Sequence, residues 1–151
     1  STQGYSSAAS DVYKRQLVGY AKYNPVAINY SDLDYVKKGD MDNGYIYVAI
    51  GDWPEDGTGD NNVPFLVDTS AKKFFDKTGP NVIAYGEIIF PEATEGDGMI
   101  PFEIELKYKD TNRKAKYIIL VATSSRYGDY FTGGTGSTLW LDDLELIYNN
   151  D

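Results

Sequence analysis

Between Pro101 and Tyr108 the chain reads PFEIELKY, and apolar and charged residues alternate without a break. Phe102, Ile104, Leu106 and Tyr108 fall on one side, and Glu103, Glu105 and Lys107 on the other. A period of two belongs to an extended backbone, whose successive side chains point to opposite faces, so this segment predicts a strand with one wet face. Five more stretches have strand composition, rich in β-branched and aromatic residues: LVGYAKY (17–23), GYIYVAI (44–50), VIAYGEIIF (82–90), AKYIILVAT (115–123) and STLWLDDLELIY (137–148). DMDNG (40–44) supplies turn chemistry ahead of the second of these. The unbroken apolar run at 115–123 predicts a central strand, and the short polar turn KDTNRK before it predicts a hairpin with 101–108. Only DTSAKKFFDK (68–77) reads as helix, with Thr69 or Ser70 as its N-cap. Short strands punctuated by turns predict an all-β domain, a β-sandwich of jelly-roll type.

At 151 residues one core is expected. With 14 Lys and Arg against 23 Asp and Glu the net charge is −9, a field that repels nucleic acid and anionic lipid. Histidine and cysteine are both absent, which removes imidazole bases, thiolate nucleophiles, disulfides and Cys/His zinc sites together. A metal would sit on oxygen ligands, as calcium does, and catalysis would rest mainly on Asp and Glu. No apolar run has the length of a membrane span, so direct membrane insertion by this segment is not expected. Fourteen of the aromatics are tyrosines, which favour strands and offer sugars a flat face and a hydroxyl. SAASDVYKRQ (7–16) has the look of translated adapter sequence, so residues 1–16 are set apart as a non-native or disordered stretch and 17–151 as the domain.

The C-terminal third carries an ordered string: Ser124, Ser125, Tyr127, Gly128, Asp129, Tyr130, Phe131, Thr132, Gly133, Gly134, Gly136, Ser137, Leu139 and Asp142. With LVGYAKY and GYIYVAIGDW upstream, it resembles the C-terminal part of the putative carbohydrate metabolism domain (PCMD) family, over about Leu17 to Tyr148. The resemblance implies a jelly-roll sandwich similar to carbohydrate-binding modules, found at the surface or in the periplasm of Bacteroidetes-group bacteria and handling glycans. It also implies that the first strands of the domain are missing from this chain. Val26, after YNP, stands where the family tends to have glycine.

Several residues could meet a ligand. GDWPEDGTGDNN (51–62) gathers carboxylates around Trp53 in a long loop that could present the indole to a sugar or bind calcium. If Asp142 and Asp143 form a bulge, Leu139, Leu141, Leu144 and Leu146 turn inward, leaving Trp140 and Asp142 on the outer face as a stacking platform beside a carboxylate. Asp142 is also the metal candidate, because related jelly rolls often hold calcium near that strand. Asp129 between Gly128 and Tyr130 can cap the glycine-rich turn or bind ligand. Gly133, Gly134 and Gly136 are turn glycines, since no Lys follows in a phosphate-binding arrangement. Glu103 and Glu105 stand about 7 Å apart on one face, a spacing any Glu-x-Glu strand produces. The expected function is therefore non-catalytic glycan binding through Trp53, Tyr127, Asp129, Tyr130 and Trp140. Two alternatives are a glycoside hydrolase using paired carboxylates and a structural or adhesin module.

Overall fold

The computed structural model describes residues 14–54 and 74–149. Six strands run β1 Lys14–Asn24, β2 Gly44–Gly51, β3 Val82–Phe90, β4 Ile100–Tyr108, β5 Tyr117–Thr123 and β6 Thr138–Asn149, and a short 3-10 turn spans Gly128–Tyr130. All six segments expected as strands are strands, and the fold is all-β. β1 begins three residues inside the stretch set apart on sequence grounds; Lys14, Arg15 and Gln16 pair with β6. Most of the helix expected over 68–77 lies outside the described residues, and 74–77 carry no helix. Among the described residues no helix is long and apolar enough to cross a membrane.

The strands form one antiparallel sheet in the order β5-β2-β3-β4-β1-β6, folded on itself into a barrel-like sandwich. The fold-over falls between β3 and β4, which pair only through Ala84 with Tyr108 and Tyr85 with Lys107. Gly86 lies at this corner, and a Cβ there would stand 2.5 Å from the Glu105 carbonyl oxygen, so the two strands meet only because the side chain is absent. Leu17, Ala21 and Tyr23 of β1, Ile46, Val48 and Ile50 of β2, and Phe102, Ile104 and Leu106 of β4 turn inward into a single core. β4 keeps the alternation read from its sequence, burying Phe102, Ile104 and Leu106 and exposing Glu103, Glu105 and Lys107.

Two expectations about β5 are corrected. It is an edge strand, and it pairs with β2 rather than forming a hairpin with β4. The loop after β4 instead crosses to the other half of the sheet, fastened where Lys109 N–H donates to Ile83 O (2.7 Å) and Lys116 N–H to Gly51 O (2.8 Å). Among the described residues β5 and β6 each pair along one edge only. The inward aliphatics of β5 consequently look into an open seam, with Ile118 51% and Leu120 41% exposed. Continuous hydrophobicity marked a strand with apolar groups on both faces, which an edge at an open seam satisfies as well as a central position does.

Candidate functional site

One end of the barrel is built from the loops 25–43 and 124–137. Their backbones are stitched together: Gly133 N–H donates to Tyr30 O (2.9 Å), Asn29 N–H to Gly133 O (3.1 Å), and Asp32 N–H to Thr132 Oγ1 (3.0 Å). Gly134 is packed so closely that a Cβ would stand 2.6 Å from Val26 Cγ2 and 2.8 Å from the Ala27 carbonyl. Val26 itself donates its N–H to Ser137 Oγ (3.1 Å) and accepts from Asp42 N–H (3.1 Å), so the valine at this position is absorbed into the loop contact.

The keystone of this end is Asp42, only 1% exposed. Its Oδ2 accepts from Ser125 Oγ (2.6 Å), Gly134 N–H (2.9 Å) and Ser137 Oγ (2.9 Å), and its Oδ1 accepts from Asn43 N–H (2.8 Å). A buried carboxylate survives only when its lone pairs are filled, and four donors fill them here. Beside it, the Tyr23 hydroxyl donates to Ser124 O (2.8 Å); burial, and then the charge of Asp42, push its pKa up to about 12. The sequence reading placed a carboxylate cap on the glycine-rich turn but chose Asp129. Asp129 is exposed, and the 3-10 turn has no side-chain cap; the carboxylate that holds the glycines comes from DMDNG, 92 residues away from Gly134.

Above Asp42 the loops lift a group of aromatic rings. Tyr35, Tyr30 and Tyr130 are exposed, and Phe131 is 68% exposed. Tyr127 meets Tyr35 edge-on, with centroids 6.0 Å apart, and carries the Arg126 guanidinium carbon 5.1 Å from its ring centroid. Tyr130 packs 5.0 Å from Phe74. Phe131 ends the 3-10 turn in the left-handed backbone region at φ 52°, where its N–H donates to Gly128 O (3.0 Å). A bulky residue in that region costs about 1–2 kcal/mol. Next to it, a shallow hollow of about 310 Å³ opens between Asn29, Tyr30, Ser125, Phe131, Thr132 and Thr135. Tyr30, Tyr35 and Phe131 were missed as candidates. Phe131 alone had a local signal, an aromatic lodged in a glycine-rich turn.

The five residues expected to share a site fall in three places. Tyr127, Asp129 and Tyr130 stand together on the aromatic end, where Asp129 is near enough to help raise the Tyr47 pKa to about 12, after the larger effect of burial. Trp140 and Asp142 lie on the outer face of β6, opposite Lys22 and Tyr20 of β1. The expected bulge is present: the β1–β6 register shifts between Val18 and Tyr20, and Asp143 adopts φ 51°. Leu139, Leu141 and Leu146 pack on the core as expected, while Leu144 stays 41% exposed over Gly19. Trp140 is part-exposed, with Lys22 Nζ 5.2 Å from its ring centroid. The Asp142 carboxylate accepts from Asp143 N–H (2.8 Å), and among the described residues no group of three or more acidic side chains could hold a metal ion.

Trp53 is in the third place and corrects the sequence reading: it is 0% exposed, a core residue and not a surface platform. It packs with Ala49 and Val82, flanked by Phe75, Tyr85, Tyr117 and Ile119, in a second cluster on the outer face of β2, β3 and β5. Gly51 leaves room for its ring, since a Cβ there would stand 2.6 Å from the indole. Of the carboxylates expected around it, Asp52 is taken by a bidentate pair with Arg113 (2.6 and 3.0 Å), which holds its carboxyl below the usual range; residues 55–62 of that loop lie outside the described residues.

The family model described as "Putative carbohydrate metabolism domain" matches residues 11–147. The chain belongs to this family. Two solved structures share the fold, each at 24% identity and a TM-score of 0.61: one described as a putative glycoside hydrolase from Bacteroides thetaiotaomicron VPI-5482, the other as a putative glycoside hydrolase from Bacteroides vulgatus ATCC 8482. The likeness covers 93% and 89% of this chain but 40% and 52% of those chains, so this chain spans about half or less of their length. No curated protein matches.

Proposed function

We propose that this PCMD chain is a carbohydrate-binding module without catalysis of its own, gripping a glycan on the aromatic end. Phe131 carries the reading: on a left-handed backbone its apolar ring stands 68% exposed, and it borders a hollow flanked by Tyr30 and Thr135. Pyranose faces would stack on Phe131 and Tyr130, while Asp129, Asn29 and the loop backbone take hydroxyl hydrogens. The module would work at the cell surface or in the periplasm. Hydrolysis is the second reading, favoured by what the two solved relatives are described as. Against it, Glu103 and Glu105 share one exposed strand face and do not face each other across a cleft, as a glycosidase pair does.

The test is a polysaccharide panel followed by titration of the best binder. Phe131→Asn accepts the same backbone, and Tyr130→Ala removes the neighbouring ring; each should weaken binding about fivefold or more, the worth of one stacking contact, with far-UV spectra unchanged. Trp140→Ala should change binding less than about twofold, because its site is separate. Repeating the titration with calcium and with EDTA tests whether a cation at Asp142 contributes. Failure of the folded protein to bind any glycan would leave a structural module, and release of new reducing ends would establish the hydrolase.

A further inference from the structure

At the opposite end of the barrel, where β1 starts and β2 ends, a second hollow of about 400 Å³ opens. Its floor is aliphatic: Ile50 and Ile83 are 3% and 1% exposed, with Ile118 and Leu146 at the sides. Its mouth is cationic. Arg15, Arg113, Lys114 and Lys116 line it with no acidic residue among the lining, in a chain whose net charge is −9. Arg113 is neutralised by Asp52, but among the described residues no carboxylate pairs with Arg15, Lys114 or Lys116. Arg15 is held in place by aromatic rings, its guanidinium carbon 4.5 Å from the Tyr148 centroid and 5.9 Å from that of Tyr108.

Three cations collected around an apolar recess repel one another, and the aliphatic wall of that recess stands partly in water, Ile118 being 51% exposed. An anion with an apolar body relieves both costs: its tail covers the isoleucine floor, and its charged end meets a guanidinium already oriented to present a planar fork. Tyr108, Thr111, Tyr117 and Tyr148 also line the hollow, but its four aliphatic side chains offer a sugar's hydroxyls no partner, whereas an alkyl tail needs none. We propose that this hollow binds a small amphiphilic carboxylate, alkyl tail on Ile50, Ile83, Ile118 and Leu146, carboxylate between Arg15, Lys114 and Lys116. The site is independent of the aromatic end, and the two can be tested separately.

Octanoate is the probe, titrated into the whole folded chain by calorimetry and by amide chemical shifts, with 1-octanol and acetate as controls that keep only the tail or only the charge. Saturable one-to-one binding of octanoate is expected, with shifts at Ile118 and Leu146, and both controls at least about tenfold weaker. Lys116→Gln, an exposed change that leaves the fold alone, should weaken octanoate about threefold or more, and Arg15→Gln about tenfold, while neither alters octanol. Phe131→Asn should leave octanoate binding as it is. Octanol binding as tightly as octanoate, wild-type affinity in the folded Lys116→Gln and Arg15→Gln variants, or no saturable binding would each overturn the proposal.

Discussion

Removing the Asp42 carboxylate should unfasten the end of the barrel that carries the aromatic rings. In Asp42→Ala, four donors lose their acceptor at once: Gly134 N–H, Asn43 N–H and the hydroxyls of Ser125 and Ser137. They are not equal. The Gly134 bond is buried, so its N–H is left without water and costs about 2 kcal/mol. The other three are part-buried and can find water, at about 0.5 kcal/mol each. The sum is about 3.5 kcal/mol, a large share of the ~5–15 kcal/mol that stabilises a domain. Asp42→Asn keeps one acceptor oxygen and should cost about half as much. Urea unfolding followed by far-UV dichroism gives the free energies, and amide exchange at Gly134 reports whether the loop opens locally. A loss below about 1 kcal/mol in Asp42→Ala at unchanged m-value, with Gly134 still protected, would refute the assignment of this carboxylate as the fastening of the two loops.

Gly86→Ala should cost about 2–3 kcal/mol or more, since the new methyl meets the Glu105 carbonyl at 2.5 Å where only two residue pairs join β3 to β4; a thermal midpoint within two or so degrees of the wild type would show that the corner can yield. Alkali should destabilise the fold through Tyr23. Its pKa rises from 10.0 unfolded to about 12 folded, so the neutral form is favoured in the native state; stability is level below the unfolded pKa and falls as pH climbs through 10 to 12, by about 3 kcal/mol. Tyr23→Phe should make that fall shallower by the Tyr23 share only, since burial raises the pKa of Tyr47 as well, while losing the bond to Ser124 O at neutral pH; urea titrations of both proteins at pH 8 and at about pH 11 would detect the difference.

Strand identity was legible along the chain because it rests on short-range facts: alternation in 101–108, β-branched and aromatic runs elsewhere, and turn residues between them. The bulge in β6 was legible as well, since two aspartates interrupt an apolar period. Tyr127, Asp129 and Tyr130 stay together for the same local reason, lying within four residues of one another. What tertiary structure decided is every relation across distance. β5 lies at an edge of the described sheet, paired with β2 alone, and nothing within residues 115–123 encodes which neighbour it takes. Trp53 was drawn inward because Gly51 leaves space for its ring and Phe75 and Tyr85 flank it, so an indole in a loop sequence rich in carboxylates became a core side chain. Asp42 looked like an ordinary turn residue because its partners Ser125, Gly134 and Ser137 lie 83, 92 and 95 residues further on. A side chain's propensity belongs to its neighbours in sequence, but its burial and its hydrogen bonds belong to whatever the folded chain brings beside it.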